Sequence, residues 1–128
     1  TKVSGGVRQV AVDGGLHHCA AACGSGSVVK RAPLLVTAAD VAAPAHEPAA
    51  VGGPLCTPAD QLGAPLDLPV LQPGDLLAVL AAGAYGLSFS PFGFLSHATP
   101  AEILVEAQGP RLLRRRGRPE DVLRDQLW

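Results

Sequence analysis

The sequence predicts a mainly-β domain, an antiparallel and Greek-key-like barrel or sandwich that carries a few short helices. Three observations support this fold class. Short apolar stretches alternate with turns rich in Gly and Pro, of which the chain has 15 and 12, a pattern typical of barrels and sandwiches. Apolar residues make up 48% and charged residues 16%, which excludes a disordered chain. The length of 128 residues fits one domain over residues 1–128.

In the first half of the chain, apolar periodicity predicts a strand over residues 7–12, which the Asp-Gly-Gly turn at 13–15 ends. The Ala-rich residues 16–23 are expected to form two helical turns that stop at Gly-Ser-Gly. Residues 28–36 favour a strand, placed at an edge or a bulge because Pro33 lacks a backbone N–H. Residues 37–50 have no clear pattern and are interpreted as a loop.

In the second half, Thr57 is predicted to cap a short helix whose first residue is Pro58. A last helix is predicted to begin at Pro119, because acidic residues follow in its first turn. Strands and turns alternate between these two helices. The predicted strands cover residues 76–80, 84–90, 102–107 and 111–115, the turns cover 73–75 and 109–110, and the last helix ends near residue 126.

Charge and composition exclude several classes of protein. The net charge of −1 gives no general attraction to nucleic acid or to an anionic membrane, and no apolar run approaches the roughly 18 residues of a membrane span. The chain begins without Met or a signal peptide, so we expect a fragment of a longer protein. Three cysteines, an odd number, favour the reducing cytoplasm over a disulfide framework.

Two segments place one reactive side chain each on a turn of Gly and Pro. Cys56 lies in Gly-Pro-Leu-Cys-Thr-Pro at 53–58, and Tyr85 lies in Gly-Ala-Tyr-Gly at 83–86. Turns of this kind let backbone and side chain approach a ligand closely. A phenol can donate to an anion, and a thiol can exchange a proton. The residues alone also allow an inert buried cysteine and a core tyrosine whose hydroxyl reaches the surface.

Six motifs in order resemble the C-terminal domain of the pyridoxal-phosphate-dependent decarboxylases. This is the diaminopimelate and ornithine decarboxylase group, whose other domain is an alanine-racemase-like barrel. The similar segments lie at 12–15, 53–56, 73–77, 82–86, 100–105 and 111–116, and the resemblance covers residues 7–118. His-His at 17–18, Cys-Thr-Pro at 56–58 and Phe-Leu-Ser-His at 94–97 resemble a subgroup from biosynthetic gene clusters, some of whose members act on an amino acid held by an acyl carrier protein.

The resemblance implies a function for both turns in a homodimeric amino-acid decarboxylase. Tyr85 would hydrogen-bond the phosphate of pyridoxal phosphate, and the small residues Gly83 and Ala84 leave room for that approach. Cys56 would reach the active site of the partner subunit and help protonate the carbon left after decarboxylation. A thiol at the start of the helix predicted after Cys56 would also lose its proton more readily.

The sequence departs from the better-known members of the family in two ways. Thr57 stands where they carry Asp or Glu, which contacts the distal amine of the substrate, so a neutral or carrier-linked substrate end is favoured. Thr57 and His97 are the candidate residues on the substrate side. The cofactor needs a Schiff-base lysine, and neither Lys2 nor Lys30 matches it. That lysine belongs to the barrel domain, so this chain alone is expected to be inactive.

Three other interpretations remain open. His17, His18, Cys19 and Cys23 have ligand types that suit zinc, although small buried cysteines on an Ala-rich helix explain them more simply, and we predict no metal. The arginines at 111–118 resemble a nucleic-acid patch or a surface for an acidic carrier protein, but they lack interleaved aromatic residues and fit a solvated edge strand. Finally, the domain would be a non-catalytic interaction module if the family motifs are relics.

Overall fold

The computed structural model describes residues 1–26, 35–37, 46–63 and 65–127. Short strands dominate these residues, and three short 3₁₀ helices lie among them. The strands are β1 (Lys2–Ser4), β2 (Val7–Ala11), β3 (Leu35–Thr37), β4 (His46–Gly52), β5 (Leu66–Pro69), β6 (Leu77–Val79), β7 (Glu102–Glu106) and β8 (Gly109–Arg114), and the 3₁₀ helices are Leu87–Phe89, Phe94–Ser96 and Pro119–Leu123.

The largest sheet has four strands in the order β1-β2-β4-β5. β1 and β2 form an antiparallel hairpin, and β4 and β5 also pair antiparallel. β2 and β4 pair in parallel, with Val10 opposite Val51, which differs from the wholly antiparallel arrangement predicted. The reason is that the chain leaves β2 and returns to β4 through a long connection, as a parallel pair requires.

Two further pairs of strands lie outside this sheet. β3 pairs antiparallel with β6, and β7 pairs antiparallel with β8 as a hairpin. The predicted mainly-β class with a few short helices is confirmed, whereas the strands of the described ranges do not close into one barrel. No helix in those ranges is long and apolar enough to cross a membrane.

The core lies on one face of the four-stranded sheet and consists of small aliphatic side chains. Cys19 and Cys23 pack against it from the segment that follows β2. Because the chain has 4% aromatic residues, this core depends on close packing of small groups instead of large rings. The buried cluster is Val10, Ala22, Leu35, Ala49, Val51, Leu62, Leu68 and Leu71.

Several sequence predictions of elements are confirmed. The strands expected near residues 7–12, 76–80, 102–107 and 111–115 are present. The turn at 73–75 is closed by the Asp75 carboxylate, which accepts the Gln72 N–H at 2.7 Å. The last helix begins at Pro119 as predicted, but it is a 3₁₀ helix that ends at Leu123.

Other predictions are wrong where tertiary contacts override local pattern. Residues 46–50, interpreted as loop, belong to β4, and residues 84–90, interpreted as strand, contain a 3₁₀ helix. No helix follows Thr57. Residues 16–23 form successive turns instead of a regular helix, and residues 109–110 start β8 instead of forming the turn. Residues 28–34 and 38–45 lie outside the described residues.

Candidate functional site

The loop that carries Cys56 is closed by one buried carboxylate. Asp60 is 3% exposed, and its two oxygens accept the Leu55 N–H at 2.8 Å and the Leu16 N–H at 2.6 Å. Its backbone carbonyl accepts the Gly53 N–H at 3.0 Å. The loop from Gly53 to Asp60 is therefore tied both to itself and to the turn that follows β2.

Two glycines make room for this carboxylate. A Cβ atom on Gly53 would lie 2.6 Å from Cγ of Asp60, and one on Gly15 would lie 2.9 Å from the same atom. Both distances are shorter than carbon atoms tolerate, so any larger residue would displace Asp60. The Gly-Gly pairs at 14–15 and 52–53 thus mark a close approach of two turns around one side chain.

Cys56 itself is exposed, next to the buried Leu55. Thr57 follows in a tight turn, in which the Thr57 carbonyl accepts the Asp60 N–H at 3.1 Å and its hydroxyl accepts the Ala59 N–H at 3.3 Å. Because this is a turn and not a helix, the predicted helix field at the Cys56 thiol is wrong. The fold instead exposes Cys56 on a loop that Asp60 holds in place.

The other two cysteines lie in a different environment. Cys19 and Cys23 are half-buried and pack against the core, and all three thiols are free. Burial, with further contributions from Asp60 and Cys19, raises the pKa of the Cys23 thiol to about 11. Cys23 is therefore protonated at neutral pH, and Cys56 is the exposed thiol of the three.

Tyr85 lies on an exposed turn and has a left-handed backbone conformation. Its φ of 53° is in the left-handed region, and 69% of the residue is exposed. The ring packs edge-on against Phe89, with centroids 5.6 Å apart. The hydroxyl has no hydrogen-bond partner in the described part of the chain. Gly83 and Ala84 beside it are exposed, which leaves the approach to the phenol open.

A buried serine ties the Tyr85 turn to the segment after β2. Ser90 is 5% exposed. Its hydroxyl accepts the Ala20 N–H at 2.9 Å and donates to the Gly86 carbonyl at 2.9 Å. Asp60 holds the same segment, four residues earlier, at Leu16. The loops of Cys56 and Tyr85 are thus both anchored to residues 15–24, each by one buried polar side chain.

Three histidines meet beside this anchoring segment. The His17 ring lies 3.8 Å from the His18 ring and 4.9 Å from the His97 ring, centroid to centroid. His17 is 2% exposed, and its Nδ1 has no hydrogen-bond partner among the residues that the structure describes. Burial first, and then the neighbouring His18 and His97, lower the pKa of His17, although Asp60 opposes this effect. His18 donates from Nε2 to the Ala98 carbonyl at 3.2 Å.

The structure does not gather all of the predicted site residues into one contact cluster. Cys56 and Thr57 share one turn, Gly83, Ala84 and Tyr85 share another, and His97 packs with His17 instead. Within the described ranges, no three His, Cys, Asp or Glu side chains are placed to hold a metal ion. The sequence analysis did not identify Asp60 and Ser90 as anchors. The Gly-Gly pairs at 14–15 and 52–53 are the sequence feature that indicates a close approach around Asp60.

Among the described residues, three of the five arginines at 111–118 pair with nearby carboxylates. Arg115 makes two hydrogen bonds to Asp121, at 2.9 Å and 2.7 Å. Arg111 pairs with Glu106 at 3.3 Å and Arg114 with Glu102 at 3.2 Å. These pairs reduce the net positive charge of this region, and with it the electrostatic attraction for nucleic acid or an acidic protein.

A protein-family model agrees with this architecture. Residues 1–83 match the model described as "Pyridoxal-dependent decarboxylase, C-terminal sheet domain". The chain belongs to this family. The match includes β1 to β6, the anchoring segment and the Cys56 loop, so the family that the motifs predicted is confirmed.

Individual relatives extend the match over nearly the whole decarboxylase domain. The L-glutamyl-(BtrI acyl-carrier protein) decarboxylase of Niallia circulans is 45% identical over 98% of this chain and 30% of its own length. The diaminopimelate decarboxylase of Bacillus subtilis is 34% identical over 93% of this chain and 26% of its own length. The chain therefore spans less than a third of either relative.

Solved structures show the same fold. Diaminopimelate decarboxylase from Helicobacter pylori, complexed with L-lysine, superimposes with a TM-score of 0.75 at 28% identity, over 91% of this chain and 27% of that one. The diaminopimelate decarboxylase of M. jannaschii gives a TM-score of 0.85 at 21% identity, over 99% of this chain and 28% of that one. The second likeness shows the fold alone.

The donors of this decarboxylase domain fit one end of pyridoxal phosphate. Tyr85 offers an exposed O–H, the kind of group that phosphate oxygens accept. For the aldehyde end a lysine amine is required. Lys2 is exposed on β1, remote in sequence from both turns, and Lys30 lies outside the described residues. Among the described residues, Tyr85 therefore offers a group suited to the phosphate, and Lys2 does not match the Schiff-base lysine.

Proposed function

We propose that this chain is the C-terminal domain of a pyridoxal-phosphate-dependent amino-acid decarboxylase and contributes Tyr85 and Cys56 to its active site. When bound, the cofactor supplies an electron sink for the pair of electrons released with carbon dioxide. The observation that carries the proposal is the common anchoring of both loops. Asp60 and Ser90 fix the Cys56 and Tyr85 turns to residues 15–24, so a phenol and a thiol project from one framework.

Tyr85 binds and orients the cofactor phosphate in this proposal. A hydrogen bond from a phenol to a charged oxygen contributes about 1.5–3 kcal/mol. The left-handed backbone at Tyr85 and the contact with Phe89 hold the ring in place before the ligand arrives. Little conformational entropy is then lost on binding.

Cys56 moves a proton in this proposal. Its Sγ–H would donate to the substrate carbon from which carbon dioxide has left, and the thiolate would recover a proton from solvent, to which the residue is exposed. Proton transfer by a positioned side chain typically accelerates a reaction by about 10²–10⁴-fold. Cys23 is unsuited to the role because burial raises its pKa to about 11.

The substrate proposed is an amino acid whose distal end is neutral or linked to a carrier protein. Thr57, which is half-buried beside Cys56, offers a hydroxyl and no charge to an ammonium group. The relative that shares 45% identity over 98% of this chain acts on a glutamyl group of an acyl-carrier protein. His97 lies with His17 and His18, and its proposed place on the substrate side rests on sequence alone.

The proposed enzyme has a second domain and a second subunit. The relatives are more than three times as long as the part this chain covers, and that remainder would supply the barrel and the Schiff-base lysine. Each active site of the homodimer would combine residues of both subunits. A cytoplasmic location stays a prediction.

The experiment that tests the proposal uses the intact polypeptide that carries this chain. Tyr85→Phe, which keeps the contact with Phe89, should weaken pyridoxal phosphate binding roughly 10- to 100-fold. Cys56→Ala should lower kcat by about 10²–10⁴-fold and leave the Kd of the cofactor unchanged. Cys19→Ala removes a thiol that the proposal does not use, so it should preserve both values.

The alternative functions give different results. An interaction module would show no cofactor-dependent loss of carbon dioxide in the wild-type protein with any amino acid, free or carrier-linked. Normal cofactor binding in Tyr85→Phe together with normal kcat in Cys56→Ala would leave a decarboxylase but overturn the site proposed for it.

A further inference from the structure

Asp60 combines deep burial with direct bonds to the residue that precedes the exposed thiol. We propose that Asp60 is a positioning residue that sets the direction of the Cys56 side chain. The inference rests on the proposed function only for the chemical role of Cys56. The contacts by which Asp60 holds the loop do not depend on that function.

The contacts of Asp60 explain how it directs its neighbour. Its Oδ2 accepts the N–H of Leu55, the residue directly before Cys56, at 2.8 Å. Its own N–H donates to the Thr57 carbonyl, directly after Cys56, at 3.1 Å. The backbone is therefore held by one residue on both sides of Cys56. With Leu55 6% exposed, the side chain before the thiol is fixed by packing as well.

The carboxylate has little freedom to rearrange. Gly15 and Gly53 approach it so closely that neither can carry a Cβ atom without displacing it. Its other oxygen is held by the Leu16 N–H at 2.6 Å. Through that bond, the direction of Cys56 is tied to residues 15–24, which also anchor the Tyr85 turn through Ser90.

The bonding pattern requires a carboxylate and not merely a side chain of its size. Both contacts at its oxygens come from backbone N–H donors, so both oxygens must accept. An asparagine would present an NH₂ group to one of the two N–H groups and lose that bond. No Lys or Arg in the described ranges forms a salt bridge with Asp60, so its negative charge serves the backbone donors.

The test compares Asp60→Asn with Asp67→Asn in the intact polypeptide. Asp67 lies on β5 with a side chain that is 76% exposed, so its substitution makes the same change in charge without touching the loop. The first measurement is residue-resolved amide hydrogen exchange in the cofactor-free protein. Asp60→Asn should speed exchange at Leu16 or Leu55 by about tenfold or more, whereas the Leu62 amide, bonded to the Val51 carbonyl, keeps its rate.

The second measurement separates positioning from general stability. In Asp60→Asn, kcat should fall by about 10²-fold because the reacting group is misplaced, while KM and the Kd of pyridoxal phosphate change little. Asp67→Asn should match the wild type in every value. Unchanged exchange at both Leu16 and Leu55, equal acceleration of all core amides, or an unchanged kcat in an active enzyme would each overturn the inference.

If Asp60→Asn does not fold, amide hydrogen exchange in the wild-type protein provides the test. The Leu55 amide should then be protected as strongly as the Val12 amide, which bonds to Gly52, and exchange at the rate of a free amide would contradict the positioning role. If the wild-type enzyme shows no decarboxylation, the proposed function fails, while the exchange data still decide whether Asp60 holds the loop.

Discussion

The anchoring region around residues 15–24 and the β7–β8 hairpin use charged and polar groups in opposite ways. In the anchoring region, Asp60 and Ser90 are buried and bonded to backbone N–H groups of distant segments. In the hairpin, every residue of β7 is exposed, and its carboxylates pair with arginines on the surface. A buried polar side chain without its partners costs about 1–3 kcal/mol, whereas an exposed ion pair contributes little.

The difference shows that the domain uses buried polar contacts to hold the irregular backbone of the Cys56 and Tyr85 turns. The hairpin pairs residues that are close in the chain, with one shift of register between Glu102 and Ile103. The Cys56 and Tyr85 turns are irregular and are held by specific buried contacts. Side chains on turns fixed in this way can approach a ligand without first being ordered, which is why we propose a function for the Cys56 and Tyr85 turns.

The largest predicted effect comes from filling the space next to Asp60. Gly53→Ala should destabilise the domain by about 1–3 kcal/mol, because the new Cβ atom would overlap the carboxylate. Gly83→Ala is the matched control, since a Cβ atom there meets nothing within 4 Å. Chemical denaturation of both variants measures the difference, and equal stability would show that Asp60 moves aside freely.

Removing the second anchor should have a somewhat smaller effect. Ser90→Ala leaves the Ala20 N–H without its acceptor in a buried place, which should cost about 1–2 kcal/mol. Ser88→Ala, an exposed position two residues earlier, should change stability by less than about 0.5 kcal/mol. If the two variants were equally stable, the Tyr85 turn would not depend on Ser90.

Acid should weaken the anchoring region through His17. Its folded pKa is lowered, chiefly by burial, from the ordinary 6.5, so the unfolded chain binds more protons below that value. Stability is therefore fully present above about pH 6.5 and falls as the pH decreases below it. The other groups that face His17 are His18, His97 and Asp60.

The free energy of unfolding, measured between about pH 7.5 and pH 5, checks this expectation through its slope against pH. The slope should be smaller in His17→Gln, which cannot take up a proton. It should persist in His46→Gln, because His46 pairs with Asp67 on the sheet and is not among the groups that shift the pKa of His17. If the free energy of unfolding depends on pH equally in His17→Gln and in the wild type, a group other than His17 causes the acid sensitivity.

The smallest effect is expected in the hairpin region. Arg115 holds the pKa of Asp121 down at about 2, so this pair adds stability above the ordinary carboxyl pKa and loses it as the pH falls towards 2. Because both side chains are exposed, salt screens the interaction. Arg115→Gln should therefore change the unfolding midpoint less than either Gly53→Ala or Ser90→Ala. A larger change would show that this exposed ion pair stabilises the domain as much as the buried anchors Asp60 and Ser90 do.

Sequence reasoning worked best where local pattern alone decides the structure. The strand near 102–107 follows from alternation, the strand near 76–80 from a continuous apolar run, and the strand near 7–12 from its valines. The strand near 111–115 follows from the Gly-Pro turn before it. The family followed from motifs in order, and residues 1–83 match its model. These features do not depend on which distant residue packs against them.

The same reasoning failed at the two candidate turns. The pattern Thr57-Pro58 with Asp60 three residues after the cap is typical of a helix start, but Asp60 bonds to Leu16, 44 residues away in the chain. Residues 84–90 favour a strand, but the Ser90 hydroxyl bonds to Ala20, 70 residues away. Long-range polar contacts of this kind override local propensity. They produce no periodic pattern in the sequence, so the sequence could not predict them.

A crystal structure of the intact protein with pyridoxal phosphate bound would test the proposed roles of Tyr85 and Cys56 most directly. We expect the Tyr85 hydroxyl about 2.5–3.0 Å from a phosphate oxygen, with Cys56 of the same or the other subunit facing the same cleft. A phosphate held without Tyr85, or a Cys56 side chain directed away from the cofactor in every subunit, would contradict these roles.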